Sequence, residues 1–174
     1  DLQVDAGLTL EDQSTLTITG ALTSAGLITI EEGATLSAES LLLSDGAVMA
    51  MIDNNLEDPT TGLLLLDNGV TVESGAMFYG SGSVVLGDNF DLESGGTLVA
   101  GAIGATEGLL QISGGDLEVA GGSTLEFGVN GDIALATNGI GQSSIITVDD
   151  NVVFETGSTL QVAVQQGAYI PTSP

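Results

Sequence analysis

Lysine, arginine, histidine, cysteine and tryptophan are all absent from this chain of 174 residues, which carries 24 aspartates and glutamates and a formal net charge of −24. Average composition would supply roughly 20 cationic side chains at this length. Their absence excludes side-chain salt bridges, phosphate clamps, Ser-His-Asp triads, Schiff bases and histidine metal ligands. Negative charge with no positive patch also argues against nucleic acid and anionic membranes as partners. Without cysteine there is no disulfide framework, no thiolate chemistry and no structural zinc site. Trypsin-like proteases find no bond to cut, which suits a protease-rich exterior. Aromatic residues make up only 3%. The longest apolar run, residues 47–52, covers six positions, far short of the ~20 that a membrane-spanning helix needs.

What is present is glycine, 26 of them, and 43% hydrophobic residues, enough for a continuous core. One phrase recurs: IEEGATL at 30–36, VESGAM at 72–77, LESGGTL at 92–98, VAGGSTL at 119–125 and FETGSTL at 154–160, with LEDQSTL at 10–16 and LSDGAV at 43–48 as degenerate copies. Its common form is an apolar strand end, two polar or small residues, a turn usually holding Gly, a small residue, often Thr, and then an apolar residue opening the next strand. Weaker strand pairs fill the gaps. Leu64 and Leu66 precede Asn68-Gly69, Val84 and Leu86 precede Gly87-Asp88, Leu110 and Ile112 precede Gly114-Gly115, and Ile146 and Val148 precede Asp149-Asp150. Within strands the alternation has period two, as in Leu16-Thr17-Ile18-Thr19 and Leu117-Glu118-Val119. No segment carries a helical stripe, and the glycine content opposes one.

The chain therefore reads as all-β and as a single repeat array over 1–174. Few aromatics and small residues in every turn favour a parallel β-solenoid of about eight coils of roughly 20 residues, in which stacking builds a narrow aliphatic core that no coil could bury alone. Leu16, Leu36, Leu98, Leu125 and Leu160 are expected to point inward. A stack of antiparallel hairpins is the alternative, and the two differ in whether outward side chains form ladders or pair diagonally.

The phrases resemble the repeats of autotransporter (type V secretion) passenger domains. The similarity is greatest over 125–171, where Gly141-Gln142-Ser143, Ile146-Thr147-Val148, Gly157, Thr159-Leu160-Gln161-Val162 and Gly167-Ala168-Tyr169-Ile170-Pro171 follow the order found near the end of many passengers. The resemblance implies a right-handed parallel β-helix secreted to the bacterial cell surface, as part of a longer passenger-like protein. It carries over no catalytic residue.

No catalytic, cofactor-binding or metal-binding residue is assigned from the sequence, and no cofactor is expected. Acidic turns at Glu31-Glu32, Glu73, Glu93, Asp149-Asp150 and across 53–58 have the oxygen chemistry of Ca²⁺ ligands, yet the Ca²⁺-binding nonapeptide is missing and Gly114-Gly115-Asp116 is a fragment of it; they read as solvated surface. Carboxylate pairs for glycoside hydrolysis lack any Arg, Lys or His to hold a sugar, so the chain is expected not to be an enzyme and to take no small-molecule substrate. Phe78, Tyr79, Phe90, Phe127, Phe154 and Tyr169 read as core or end plugs rather than a sugar platform. The run Thr15, Thr17, Thr19 does not recur at the coil period. Two functions fit: a surface-displayed stalk or adhesin, and a self-assembling filament or biofilm-matrix subunit joined through unpaired strand edges at its ends. The expected partner is accordingly another copy or a neighbouring surface protein.

Overall fold

The structure, a computed structural model, describes residues 1–52, 62–101, 108–130 and 144–165. Every regular element in these residues is a β-strand, and all seventeen strand pairings between them are parallel. The antiparallel alternative is excluded; one isolated bridge between Gly80 and Gly101 is the single antiparallel contact described.

The strands form three walls that the chain visits in rotation. The first wall holds β1 (Leu2–Val4), β4 (Leu22–Ser24), β7 (Leu41–Leu43), β10 (Val70–Val72), β13 (Phe90–Leu92), β16 (Leu117–Val119) and β19 (Val152–Phe154). The second holds β2 (Gly7–Leu10), β5 (Leu27–Ile30), β8 (Val48–Met51), β11 (Met77–Gly80), β14 (Thr97–Ala100), β17 (Thr124–Asn130) and β20 (Thr159–Gln165). The third holds β3 (Thr15–Thr17), β6 (Thr35–Ala38), β9 (Leu63–Leu66), β12 (Gly82–Val85), β15 (Gly108–Ser113) and β18 (Ser144–Val148). One strand from each wall makes a coil, and the array is a parallel β-helix of seven coils, the last with two described strands.

Seven coils rather than about eight follow from unequal coil lengths. Leu2, Leu22, Leu41, Val70, Phe90, Leu117 and Val152 are successive partners on the first wall, at intervals of 20, 19, 29, 20, 27 and 35 residues. All three long intervals arise between a second-wall and a third-wall strand: β8 to β9, β14 to β15 and β17 to β18. Additions at one corner lengthen a coil in sequence without changing the three strands it contributes to the stack.

The inward residues form ladders in register. On the second wall Leu8, Ile28, Met49, Phe78, Leu98, Leu125 and Leu160 stack one on the next. On the third, Leu16, Leu36, Leu64, Val84, Ile112 and Val148 do the same. Leu36, Leu98 and Leu125 are buried, as the alternation requires. Leu16, on the first coil, is half-buried against the core. Leu160 departs from expectation at 60% exposed: it lies in register over Leu125, but its coil is the last described and no further coil covers it. Phe78 and Phe90 fill the middle of the core edge to face, with centroids 5.3 Å apart and planes at 72°, a favourable aromatic geometry.

The recurring phrase is one tight turn. In each of its seven copies a backbone N–H donates to the carbonyl three residues earlier, as from Ala34 to Glu31 (3.0 Å) and from Ala47 to Ser44 (2.8 Å). The residue before that donor has positive φ: Gly33, Gly46, Gly75, Gly95, Gly122, Gly157 and, in the degenerate LEDQSTL copy, Gln13 at 57°. Positive φ at this position is the requirement of a type II turn and the reason for Gly there. The small residue that follows points into the corner of the core, where Ala34, Ala47 and Ser123 are fully buried. The same turn serves two corners. It joins second wall to third in the first two coils, and first wall to second from the third coil onward.

Leu98→Ala and Leu125→Ala are each expected to cost ~2–5 kcal/mol and Leu160→Ala less than about 1 kcal/mol, measured by denaturant unfolding. Gln13→Gly should raise stability, since left-handed backbone costs a side-chain-bearing residue roughly 1–2 kcal/mol, offset in part by the greater unfolded-state entropy of Gly. Gly95→Ala should lower it, combining φ of 85° with a Cβ placed 2.5 Å from Ser74 Oγ. A thermal melt of the two variants checks both signs.

Candidate interaction surfaces

The turn chemistry decides where the charge goes. Among the described residues only Asp91, Glu118 and Glu126 lie on strands; every other carboxylate stands at a corner. The third wall carries none on its strands. Glu31 and Glu32 sit one coil beyond Glu11 and Asp12 at the same corner, where the Gln13 N–H donates to the Glu32 carbonyl (3.3 Å). Glu73 and Glu93 open the equivalent turn in neighbouring coils, and Asp149 and Asp150 lie between β18 and β19. Residues 53–58 lie outside the described residues. Among those described, no group of three or more acidic residues is placed to hold a metal ion.

Two acidic strand residues are direct neighbours on the first wall. Asp91 on β13 is in register with Glu118 on β16, and the two share a recess of ≈280 Å³ with Leu92, Glu93, Ala120, Val153 and Glu155. Strands in a sheet lie ~4.8 Å apart, and unit charges at that distance repel by roughly 1 kcal/mol even in a water-like dielectric. Partial burial, reinforced by Glu118, Asp88 and Glu93, raises the Asp91 carboxyl above its ordinary range. Its other in-register neighbour, Thr71 on β10, brings no charge. No cationic group balances this patch, because the chain has no basic side chain.

A second arrangement stands at the corner before the first wall, and the sequence reading missed it. Asp1, Asn89, Asp116 and Asn151 each immediately precede a first-wall strand. The Ala21 N–H donates to Asp1 Oδ1 (3.0 Å), the Asp116 N–H to Asn89 Oδ1 (3.3 Å), and the Asn151 N–H to Asp116 Oδ1 (3.0 Å). Asn151 Nδ2 also donates to Asp116 Oδ1 (2.9 Å), and Asn89 Nδ2 to Glu118 Oε1 (2.7 Å). Asp1, Asn89 and Asp116 each cap the backbone of the next coil, which pins register there. The signal was an Asx residue ahead of four of the seven first-wall strands, hidden by spacings of 27 and 35 residues.

Phe78 and Phe90 are core residues and Phe127 packs against the core. Tyr79 is half-buried on the outer face of β11. Phe154 is 49% exposed on the last coil, and Tyr169 lies outside the described residues. Thr15 and Thr17 lie on β3, with Thr19 beyond its end. A threonine ladder does recur, made by the Thr of the Thr-Leu phrase: Thr97, Thr124 and Thr159 stack along the outer second wall. Gly141-Gln142-Ser143 and the 167–171 stretch lie outside the described residues. No family model, curated protein or solved structure matches the chain.

Stability should rise on mild acidification. Asp91 holds its proton more firmly folded than unfolded, so folding takes up a proton as pH falls through its raised pKa toward the ordinary carboxylate value. The stabilisation from that proton is complete below the unfolded value and lost as pH rises. Thermal melts from pH 7 to 4.5 should show an increasing Tm, as should added salt. Asp91→Asn should raise the unfolding free energy at pH 7 by the roughly 0.2–1 kcal/mol typical of cross-strand pairs, and flatten the dependence.

Proposed function

We propose that this chain is an extracellular structural or adhesive segment, a passenger-like stalk on the bacterial surface, whose work is to span distance and display rather than to catalyse. The observation that carries this reading is the uniformity of the stack. The same three walls run through seven coils, the last with two described strands, and nearly all carboxylates among the described residues stand at corners. A rod assembled from equivalent coils gains length with each coil added, and length is what a stalk supplies. The repeat phrases support a passenger-like origin, and the lack of any trypsin site suits exposure outside the cell. Immunogold labelling of intact producing cells with antibody to this chain should decorate the exterior. Label that arrives only after permeabilisation, or a purified hydrolytic activity abolished by one Asp→Asn change, would defeat the proposal.

A second reading, the self-assembling filament, is favoured by one specific observation: the last described coil exposes Val152, Val153, Phe154, Leu160 and Val162 at 44–60%. Large apolar side chains concentrated on one coil mark a contact surface. Negative-stain electron microscopy of the purified chain should show fibres under this reading and isolated short rods under the first.

A further inference from the structure

Three asparagines stand where the chain turns from the third wall into the first: Asn68, Asn89 and Asn151. Two of them are held by their side chains. Asn89 Oδ1 accepts from the Asp116 N–H and its Nδ2 donates to Glu118 Oε1, while Asn151 Nδ2 donates to Asp116 Oδ1. Each is followed by a residue with a side chain, Phe90 or Val152. Asn68 is not held. It is exposed, its side chain makes no hydrogen bond among the described residues, and it is followed by Gly69, whose N–H donates to no described backbone carbonyl.

The glycine is imposed by the stack. A Cβ at position 69 would run into the Asn89 carbonyl of the next coil, so the chain passes there only without a side chain. The surrounding backbone is pinned on both sides. The Asn68 N–H donates to the Glu39 carbonyl (2.7 Å), the Gly87 N–H to the Asn68 carbonyl (3.1 Å), the Leu41 N–H to the Gly69 carbonyl (3.1 Å) and the Val70 N–H to the Asn89 carbonyl (3.1 Å). What the fold leaves free is the pair of groups that react with each other: a side-chain amide carbon and, one residue on, an unhindered backbone nitrogen.

We propose that Asn68-Gly69 is a site of spontaneous deamidation within the folded stack. The Gly69 nitrogen loses its proton and forms a bond to Asn68 Cγ. The bond from Cγ to the side-chain nitrogen breaks, and ammonia leaves with a proton. Water then opens the cyclic imide. Addition at Cγ leaves aspartate at position 68; addition at the main-chain carbonyl leaves isoaspartate, with the chain routed through the side-chain methylene. Either product adds a carboxylate to a corner that already carries Glu39, Asp67 and Asp88, and no cationic side chain balances it. Isoaspartate also lengthens the backbone by one atom between hydrogen bonds that fix Val70 in register with Leu41 and Phe90. The modification therefore loosens the middle of the stack irreversibly as the chain ages.

Purified chain aged for weeks at mildly alkaline pH, beside a sample unfolded in urea, tests this. Trypsin has no site, but a glutamate-specific protease cutting after Glu57 and Glu73 isolates Asn68 in the peptide 58–73, apart from the Asn-Gly pairs at 130–131 and 138–139. Mass spectrometry should show that peptide passing from amide to acid in the folded chain at a rate within about tenfold of the unfolded one, part of it as isoaspartate labelled by an isoaspartyl methyltransferase. If conversion had to wait for the coil to open, the opening equilibrium would slow it by far more than about tenfold, and that result would overturn the site. Aged wild type should melt below fresh wild type, with fresh Asn68→Asp, which carries the charge without the added atom, between them; aged Asn68→Gln should keep its Tm. Equal Tm for aged wild type and fresh Asn68→Asp, or an equal loss in aged Asn68→Gln, would overturn the effect on register.

Discussion

In-register stacking of parallel strands is the constraint on which everything else in this molecule depends. A three- or four-residue strand has too few hydrogen bonds and too little apolar area to persist alone. Its inward residue is buried only because the equivalent residue of the neighbouring coil lies directly against it, about 4.8 Å away. Leu36 at 0% exposure, with Leu16 and Leu64 on either side, shows the rule in the interior. Leu160, with a described ladder partner on one side only, is 60% exposed. The corners follow from the same rule. A wall keeps its register only if each corner turns the chain by the same amount, and the positive-φ turn with a small buried residue after it provides a repeatable corner.

Charge is arranged around that constraint. Stacking places the same sequence position of successive coils side by side, so an outward carboxylate repeated along a wall would become a column of like charges. The strands instead carry mostly Thr, Ser, Gln and aliphatic residues outward. Asp91 beside Glu118 is the in-register acidic pair on strands, and it is where a carboxyl is pushed upward. Corner carboxylates reach into water and are screened. With no cationic side chain in the sequence, the fold rests on apolar ladders and backbone hydrogen bonds.

Much of this was legible in the residues. Period-two alternation and the glycine turns led to short strands and an all-β solenoid, and the weaker pairs at Leu64, Val84, Leu110 and Ile146 are the third wall in order. LEDQSTL was readable as a degenerate copy, and its Gln13 takes the strained conformation that Gly holds elsewhere. Four features stayed hidden. The phrase marks two different corners, because the turn is a local device indifferent to which walls it joins. Long connections at one corner disguised the coil count. The Asx ladder links residues 20, 27 and 35 positions apart, and only the folded register brings them together. Ser24, fully buried within an otherwise apolar ladder, gave no sign in sequence; its hydroxyl is satisfied by the Val4 and Gly26 carbonyls at 3.3 and 3.1 Å.

The central claim is that ladder partners touch across coils while residues in similar phrases on other coils do not. A double-mutant cycle on Leu98 and Leu125, read by urea unfolding, tests it directly. The account predicts a coupling of roughly 0.5–3 kcal/mol for this in-register pair, and additivity within about 0.5 kcal/mol for Leu36 with Leu125, four coils apart on different walls. Additive behaviour of Leu98 with Leu125, or strong coupling of Leu36 with Leu125, would contradict the stacked parallel register.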